Sequence, residues 1–259
     1  MANISIGAII IGDEIIRGKR QDKHFAKAVE VLAARGLHLL WSLTIADDRQ
    51  RLIETLTRTL ASSDIVFCFG GIGVTPDDHT RLAAAAAAGV PLQLHPDAET
   101  EIRVRCVEQN IEPTPQRLQL GEFPVGSRIV PNPVNHMPGF SYANHHFFPG
   151  FPQMAWPMLE WTLDTYYSAH FHAVSESEEA IIVWEGRESV LLTLMRDIET
   201  KYPQATLFSL PSFGHATLRP HIELGMRGVP AQVTSAMAEI RAEVARLGYS
   251  WTPAVKPAG

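Results

Sequence analysis

The stretch DIVFCFGGIGVTPDDHTRLAAAAAAG, Asp64 to Gly89, decides how the chain is read. Its apolar start, Ile65 to Phe69, has the texture of a buried strand. Arg81 to Ala88 is an alanine-rich helix closed by Gly89. Between them stand Gly70, Gly71 and Gly73, then Thr75, Pro76, Asp77, Asp78 and Thr80. Glycines after a strand let backbone amides approach a ligand closely, and a helix start supplies donors that suit an anion. Two adjacent carboxylates repel that anion unless a cation stands between them. The stretch is therefore either a phosphate site with a metal bridge or a sharp turn capped by Asp78 or Thr80.

Working outward, the same alternation repeats upstream. Ile4 to Ile11 is β-branched and nearly continuous in apolar character, as a parallel strand covered on both faces should be, and it ends in Gly12, Asp13 and Glu14. A helical face follows at Phe25, Val29, Leu32 and Ala33, with Gly36 past its end, then a strand over 37–45 ending at Asp47 and Asp48. Leu52, Ile53, Leu56 and Leu60 mark the next helix. The order βαβαβ predicts a three-layer α/β/α domain with a mostly parallel sheet.

Downstream, residues 97–109 read as a helix. The texture then changes to dense Pro and Gly between 111 and 157, which favours short strands and turns such as RIVPNPV and HHFFPG. Pro152 suits the first turn of a helix running to about Tyr167. From 168 to 259 the order βαββα predicts a second, smaller α+β domain, with Val233, Met237, Ile240, Val244 and Leu247 on one helix face and TPAVKPAG as a loose tail. The domain division is thus 1–167 and 168–259.

The formal charge of −6 removes any global basic field, so neither nucleic acid nor an anionic membrane is an expected partner. The apolar start is too short for a membrane span or a signal segment with its flanks. The two cysteines, Cys68 and Cys106, form no close-spaced metal or disulfide pattern, and a reducing cytoplasm fits them best. The pairs His170/His172 and His145/His146 are weak metal candidates, without a third ligand in view, and no HExxH, GxSxG or Walker A pattern occurs.

Four motifs in order carry a resemblance: IGDEIIRGKRQDKH after the first strand, IADDRQRL after the second, GGIGVTPDDHT after the third, and NPVNHMPGF with FPGFPQMAWPML near the end of the domain. With these the chain resembles the molybdopterin-binding-like domain shared by MogA, MoaB and the competence/damage-inducible protein CinA. The forms GDE and TPDDHT are CinA-like, and the resemblance spans about residues 3 to 165. CinA proteins usually continue into a nicotinamide-nucleotide amidase domain. This chain is expected to be a short form without one.

The resemblance implies a nucleotide or pterin phosphate as small-molecule ligand, a divalent cation (Mg2+ or similar), and a homo-oligomer, dimer or trimer. It implies catalytic roles for Asp47 and Asp78, with Asp77 and Asp78 holding the metal. Gly12, Asp13, Glu14, Gly70, Gly71, Gly73, Thr75, Thr80, Asn132, Gly139 and Gly150 are the expected ligand-binding set. The implied activity is metal-dependent cleavage of a nucleotide pyrophosphate of the ADP-ribose or FAD kind. A molybdopterin adenylyltransferase-like role and a catalytically silent binding module are the alternatives. Two departures from the family pattern stand out: Gln153 and Met154 replace a serine and an acidic residue, and His136 and Met137 stand where smaller residues are usual.

Overall fold

β1 (Ile6–Ile11) has all six residues buried and forms the axis of the larger of two compact units. In this computed structural model residues 4–173, 176–214 and 218–254 are described. α1 (Asp13–Ile16) and α2 (His24–Ala33) lead to β2 (Trp41–Ile45), and α3 (Arg49–Leu60) leads back to β3 (Ile65–Phe69). α4 (Thr80–Ala88), β4 (Leu92–Leu94), α5 (Pro96–Glu108), α6 (Pro115–Leu118) and β5 (Glu122–Pro124) follow. The unit is completed by β6 (Arg128–Val130), β7 (Gly139–Tyr142), β8 (His145–Phe148) and α7 (Pro152–Tyr166).

The main sheet has the order β2-β1-β3-β8-β7-β6. The first four strands run parallel, and β7 and β6 close one side antiparallel. Period-2 alternation splits β1 between two cores. Ile6, Ala8 and Ile10 pack with α2 and α7 through Ala28, Val31, Leu32, Ala155, Met158, Leu159 and Leu163. Ile9 and Ile11 pack with α3, α4 and α5 through Leu52, Leu56, Ala83, Ala84 and Ala98. This is the expected three-layer α/β/α architecture.

Three expectations need adjustment. β2 starts four residues later than 37 because Gly36, at φ 69°, and the bond from Leu37 N to Leu32 O keep the chain in the C-terminal turn of α2. The first unit runs to residue 173 rather than 167. Its last residues fold back on α2: His172 N donates to Arg35 O at 3.0 Å, and the Arg35 guanidinium lies 5.6 Å from the centre of the Phe171 ring. The metal reading of His145 and His146 also fails, because neighbours on a strand face opposite sides. His145 meets Thr59 of α3 at 2.9 Å, whereas His146 is held between Ser141 and Tyr167, each at 2.7 Å.

The second unit, from residue 174 on, holds β9 (Ser177–Trp184), α8 (Glu188–Lys201), β10 (Ala205–Ser212), β11 (His221–Gly228), α9 (Pro230–Arg246) and β12 (Trp251–Pro253). Its antiparallel sheet has the order β10-β11-β9-β12, with Ile181, Val183, Ile222, Leu224 and Met226 packed against α8 and α9. β12 corrects the loose-tail reading in part: Trp251 to Pro253 pair with β9. Residues 255–259 lie outside the described residues.

Candidate functional site

The chain leaves β1 to one side for β2 and returns to the other for β3. That reversal opens a crevice at the carboxyl ends of the two central strands, where open α/β sheets bind ligands. A cavity of about 520 Å³ occupies this place, within the range of small-molecule sites. Gly12 and Glu14 after β1, Asp47 after β2, and the run Gly70 to Thr75 with Asp77 and Asp78 after β3 line it. A second wall comes from Asn132, Asn135, Met137 and Pro138 before β7, and from Pro149 to Phe151 with Met154 after β8.

The glycine loop is built by close approach. Gly70 adopts φ 108°, and a β-carbon there would stand 2.2 Å from Ile11 O; Gly71 adopts φ 66°. Thr80, fully buried at the start of α4, fixes both residues: its Oγ1 donates to Gly70 O at 3.0 Å and its N–H to Gly71 O at 3.0 Å. Among the described residues no acceptor meets the N–H groups of Gly71, Ile72, Gly73 and Val74, four consecutive donors on the cavity wall. Unpaired backbone donors cost free energy unless water or a ligand meets them, so the loop offers its amides to an anion.

Neither Asp78 nor Thr80 acts as the side-chain cap of α4. Asp78 Oδ2 turns back to accept from Thr75 N at 2.9 Å and from the Thr75 hydroxyl, which closes the loop on itself. Asp48 caps α3 by accepting from Arg51 N at 2.8 Å, which leaves Asp47 for the crevice. Asp47 Oδ2 accepts from Asp13 N at 2.8 Å, and its own N–H donates to Asp13 Oδ1 at 3.3 Å, tying the ends of β1 and β2 together. Partial burial holds the Asp47 carboxyl above the usual range; the Asp13 N–H opposes this, and the charges of Glu14, Asp13 and Asp77 add to it.

Three expected ligand-binding residues stand off the cavity wall. The Thr80 hydroxyl is used on Gly70 O, Asp13 pairs with Arg17 at 3.0 Å, and Gly139 lies in β7, where a β-carbon would meet Phe147 O at 2.2 Å. Asn132 lines the wall, but its amide is occupied, accepting from Val134 N and donating to Met137 O, each at 3.0 Å. Of the departures from the family pattern, Met137 and Met154 line the cavity and His136 and Gln153 do not; His136 faces Glu101 at 2.7 Å.

Sequence reading missed Arg81 and Arg20. Arg81 is buried on α4 and donates to Gly73 O (2.7 and 3.2 Å), Gln119 O (2.6 Å) and Glu122 O (3.1 Å), joining the glycine loop to the segment that carries Leu120 of the wall. A basic side chain inside an alanine-rich helix face was the available signal. Arg20 is the one basic side chain lining the cavity among the described residues, against four carboxylates. Hard oxygen donors and that surplus of negative charge around the cavity suit a divalent cation. No three His, Cys, Asp or Glu side chains converge on one point among the described residues, so Asp77 and Asp78 do not make a closed metal cage. One or two carboxylates can hold Mg2+ only where further oxygens complete its shell.

Among the described residues no helix is long and apolar enough to cross a membrane. The chain is 33% identical over 132 residues to a CinA-like protein of Sulfurihydrogenibium sp., covering 51% of this chain and 33% of that one. It is 33% identical over 174 residues to a CinA-like protein of Citrifermentans bemidjiense, covering 65% and 42%. The chain thus spans less than half the length of these curated relatives. The solved structure of CinA from Thermoplasma acidophilum matches at 26% identity with a TM-score of 0.55, over 63% of this chain and 98% of that one. The family described as "Probable molybdopterin binding domain" matches residues 7–169, the unit that carries the crevice, and the chain belongs to that family.

Proposed function

We propose that the crevice binds a nucleotide or pterin pyrophosphate and hydrolyses a nucleotide pyrophosphate of the ADP-ribose or FAD kind. The observation that carries this reading is the row of four unpartnered N–H groups, Gly71 to Val74, beside a carboxylate of raised proton affinity, Asp47. The amides hold phosphate oxygens, and Arg20 adds positive charge. Asp47 takes the proton of the attacking water, whose oxygen bonds to one phosphorus as the bond from that phosphorus to the bridging oxygen breaks. Asp78 keeps the loop closed through Thr75. A divalent cation held by Asp77 and by the Asp78 oxygen that Thr75 leaves free, together with substrate oxygens, would neutralise phosphate charge and lower the pKa of water.

A second reading, a binding module without turnover, draws support from Met154, which lines the cavity where the family pattern has an acidic residue. Incubation with ADP-ribose, FAD, or ATP plus molybdopterin, each with Mg2+, separates the readings. AMP released from ADP-ribose or FAD supports hydrolysis, adenylylated pterin supports an adenylyltransferase-like role, and saturable binding without product supports the silent module. Self-association into a dimer or trimer belongs to the same proposal and is read by sedimentation velocity.

A further inference from the structure

The second wall of the cavity carries a polar group that the phosphate reading does not use. Asn135 lines the cavity together with Met137, Pro138, Phe151 and Met154. Its amide orientation is set by the backbone: Met137 N donates to Asn135 Oδ1 at 3.0 Å, and an N–H must meet the oxygen of an amide, so Nδ2 occupies the other position. Nδ2 donates to Met154 Sδ, at 3.2 Å. A thioether sulfur is a weak acceptor, and the second Nδ2 hydrogen meets no acceptor among the described residues. Asn135 thus presents a fixed, under-used donor on a wall whose other polar side chain, Asn132, is already paired, and whose Met137, Pro138, Phe151 and Met154 side chains suit the face of a planar ring.

We infer that Asn135 determines which ring the site accepts: Nδ2 donates to an acceptor nitrogen or carbonyl of a planar heteroaromatic ring lying against Met154 and Met137. This rests on the pyrophosphate reading above and extends it to the other half of the ligand. Ligand binding exchanges the weak Nδ2–sulfur contact for a bond to nitrogen or oxygen, while the Met137 bond keeps the amide from turning over. A ring bearing only donors at that edge leaves Nδ2 facing another donor and is rejected, since buried unpaired groups discriminate more strongly than apolar contact does.

The test measures calorimetric affinities for inorganic pyrophosphate, FMN and ADP-ribose in its uncleavable form with a methylene in place of the bridging oxygen, with Mg2+, in the parent chain and in Asn135→Leu and Asn135→Asp. Asn135→Asp keeps the acceptor for Met137 N and removes only the donor, so it guards against loop collapse in Asn135→Leu. Its added charge weakens every phosphate ligand, so the quantity read is affinity relative to pyrophosphate. A roughly tenfold fall in that ratio in both variants, the value of one hydrogen bond of about 1.4 kcal/mol, is the expected result. A fall for ADP-ribose identifies a purine as the ring, and a fall for FMN identifies a larger ring system of the pterin or flavin kind. An unchanged ratio for both ligands overturns the inference, even where all absolute affinities drop. A parent that binds pyrophosphate but gains nothing from either ring also overturns it while the phosphate reading stands. A parent that binds none of the three overturns both.

Discussion

Replacing Arg81 by methionine tests how the glycine loop is held. Methionine keeps length and helix propensity but removes the guanidinium that reaches Gly73 O, Gln119 O and Glu122 O. Hydrogen bonds to a charged group contribute about 1.5–3 kcal/mol each net, and three carbonyls lose their donor together. Burial of the guanidinium, which lowers its pKa, offsets part of that sum. The expected loss is therefore about 3 kcal/mol, in the range measured when a buried charged group is deleted from its partners. For a unit of this size that corresponds to a fall in Tm of roughly 6–12 °C. Urea unfolding followed by tryptophan fluorescence should show the transition of the first unit moving while its m value is kept. The two compact units call for resolving their transitions separately. Arg81→Lys should recover about a third, because an ammonium cannot span three carbonyls as a planar fork does. If Arg81→Met unfolds within about 0.5 kcal/mol of the parent and binds pyrophosphate equally well, Arg81 does not brace the loop.

The fold was legible because its core strands are consistent at every level. β1 and β3 are continuous apolar runs, both fully buried, and each ends in glycine at the crevice. That alternation locates the switch point, and with it Asp47 and the glycine loop, without any side-chain geometry. What stayed hidden depends on partners distant in sequence. Thr80 reads as a ligand donor until Gly70 O is seen to accept its hydroxyl, and Asp78 reads as a metal ligand or a cap until Thr75 is seen to bond its Oδ2. Arg81 reads only as the start of an alanine-rich helix, since carbonyls 38 and 41 residues away give it its purpose. Thr252 and Pro253 read as tail because β12 exists only through its pairing with β9.

Other outcomes follow from the same structure. Gly70→Ala should lose more than about 2 kcal/mol, since it combines a positive φ with a β-carbon 2.2 Å from Ile11 O; a melting curve like the parent's would refute the close approach. Burial lowers His145 to about 4 and His146 to about 3, so between those values and 6.5 the unfolded chain binds protons that the native chain refuses. Native stability should then fall as pH drops below about 6.5, by up to about 1.4 kcal/mol per pH unit for each histidine, and a flat urea midpoint from pH 7 to 5 would contradict this. The Asp47 carboxyl carries the opposite sign. Its raised pKa means that the native chain binds more protons than the unfolded chain just above the usual carboxylate range, so ionisation at neutral pH costs native stability. Asp47→Asn can still accept from Asp13 N, yet it removes a charge that faces Glu14, Asp13 and Asp77. The variant should melt at or slightly above the parent temperature while pyrophosphate turnover falls by at least about a hundredfold, the scale of one general base. A variant that melts several degrees lower would place Asp47 in the scaffold, because a strut loses stability with its charge and a working carboxylate strained by its neighbours does not.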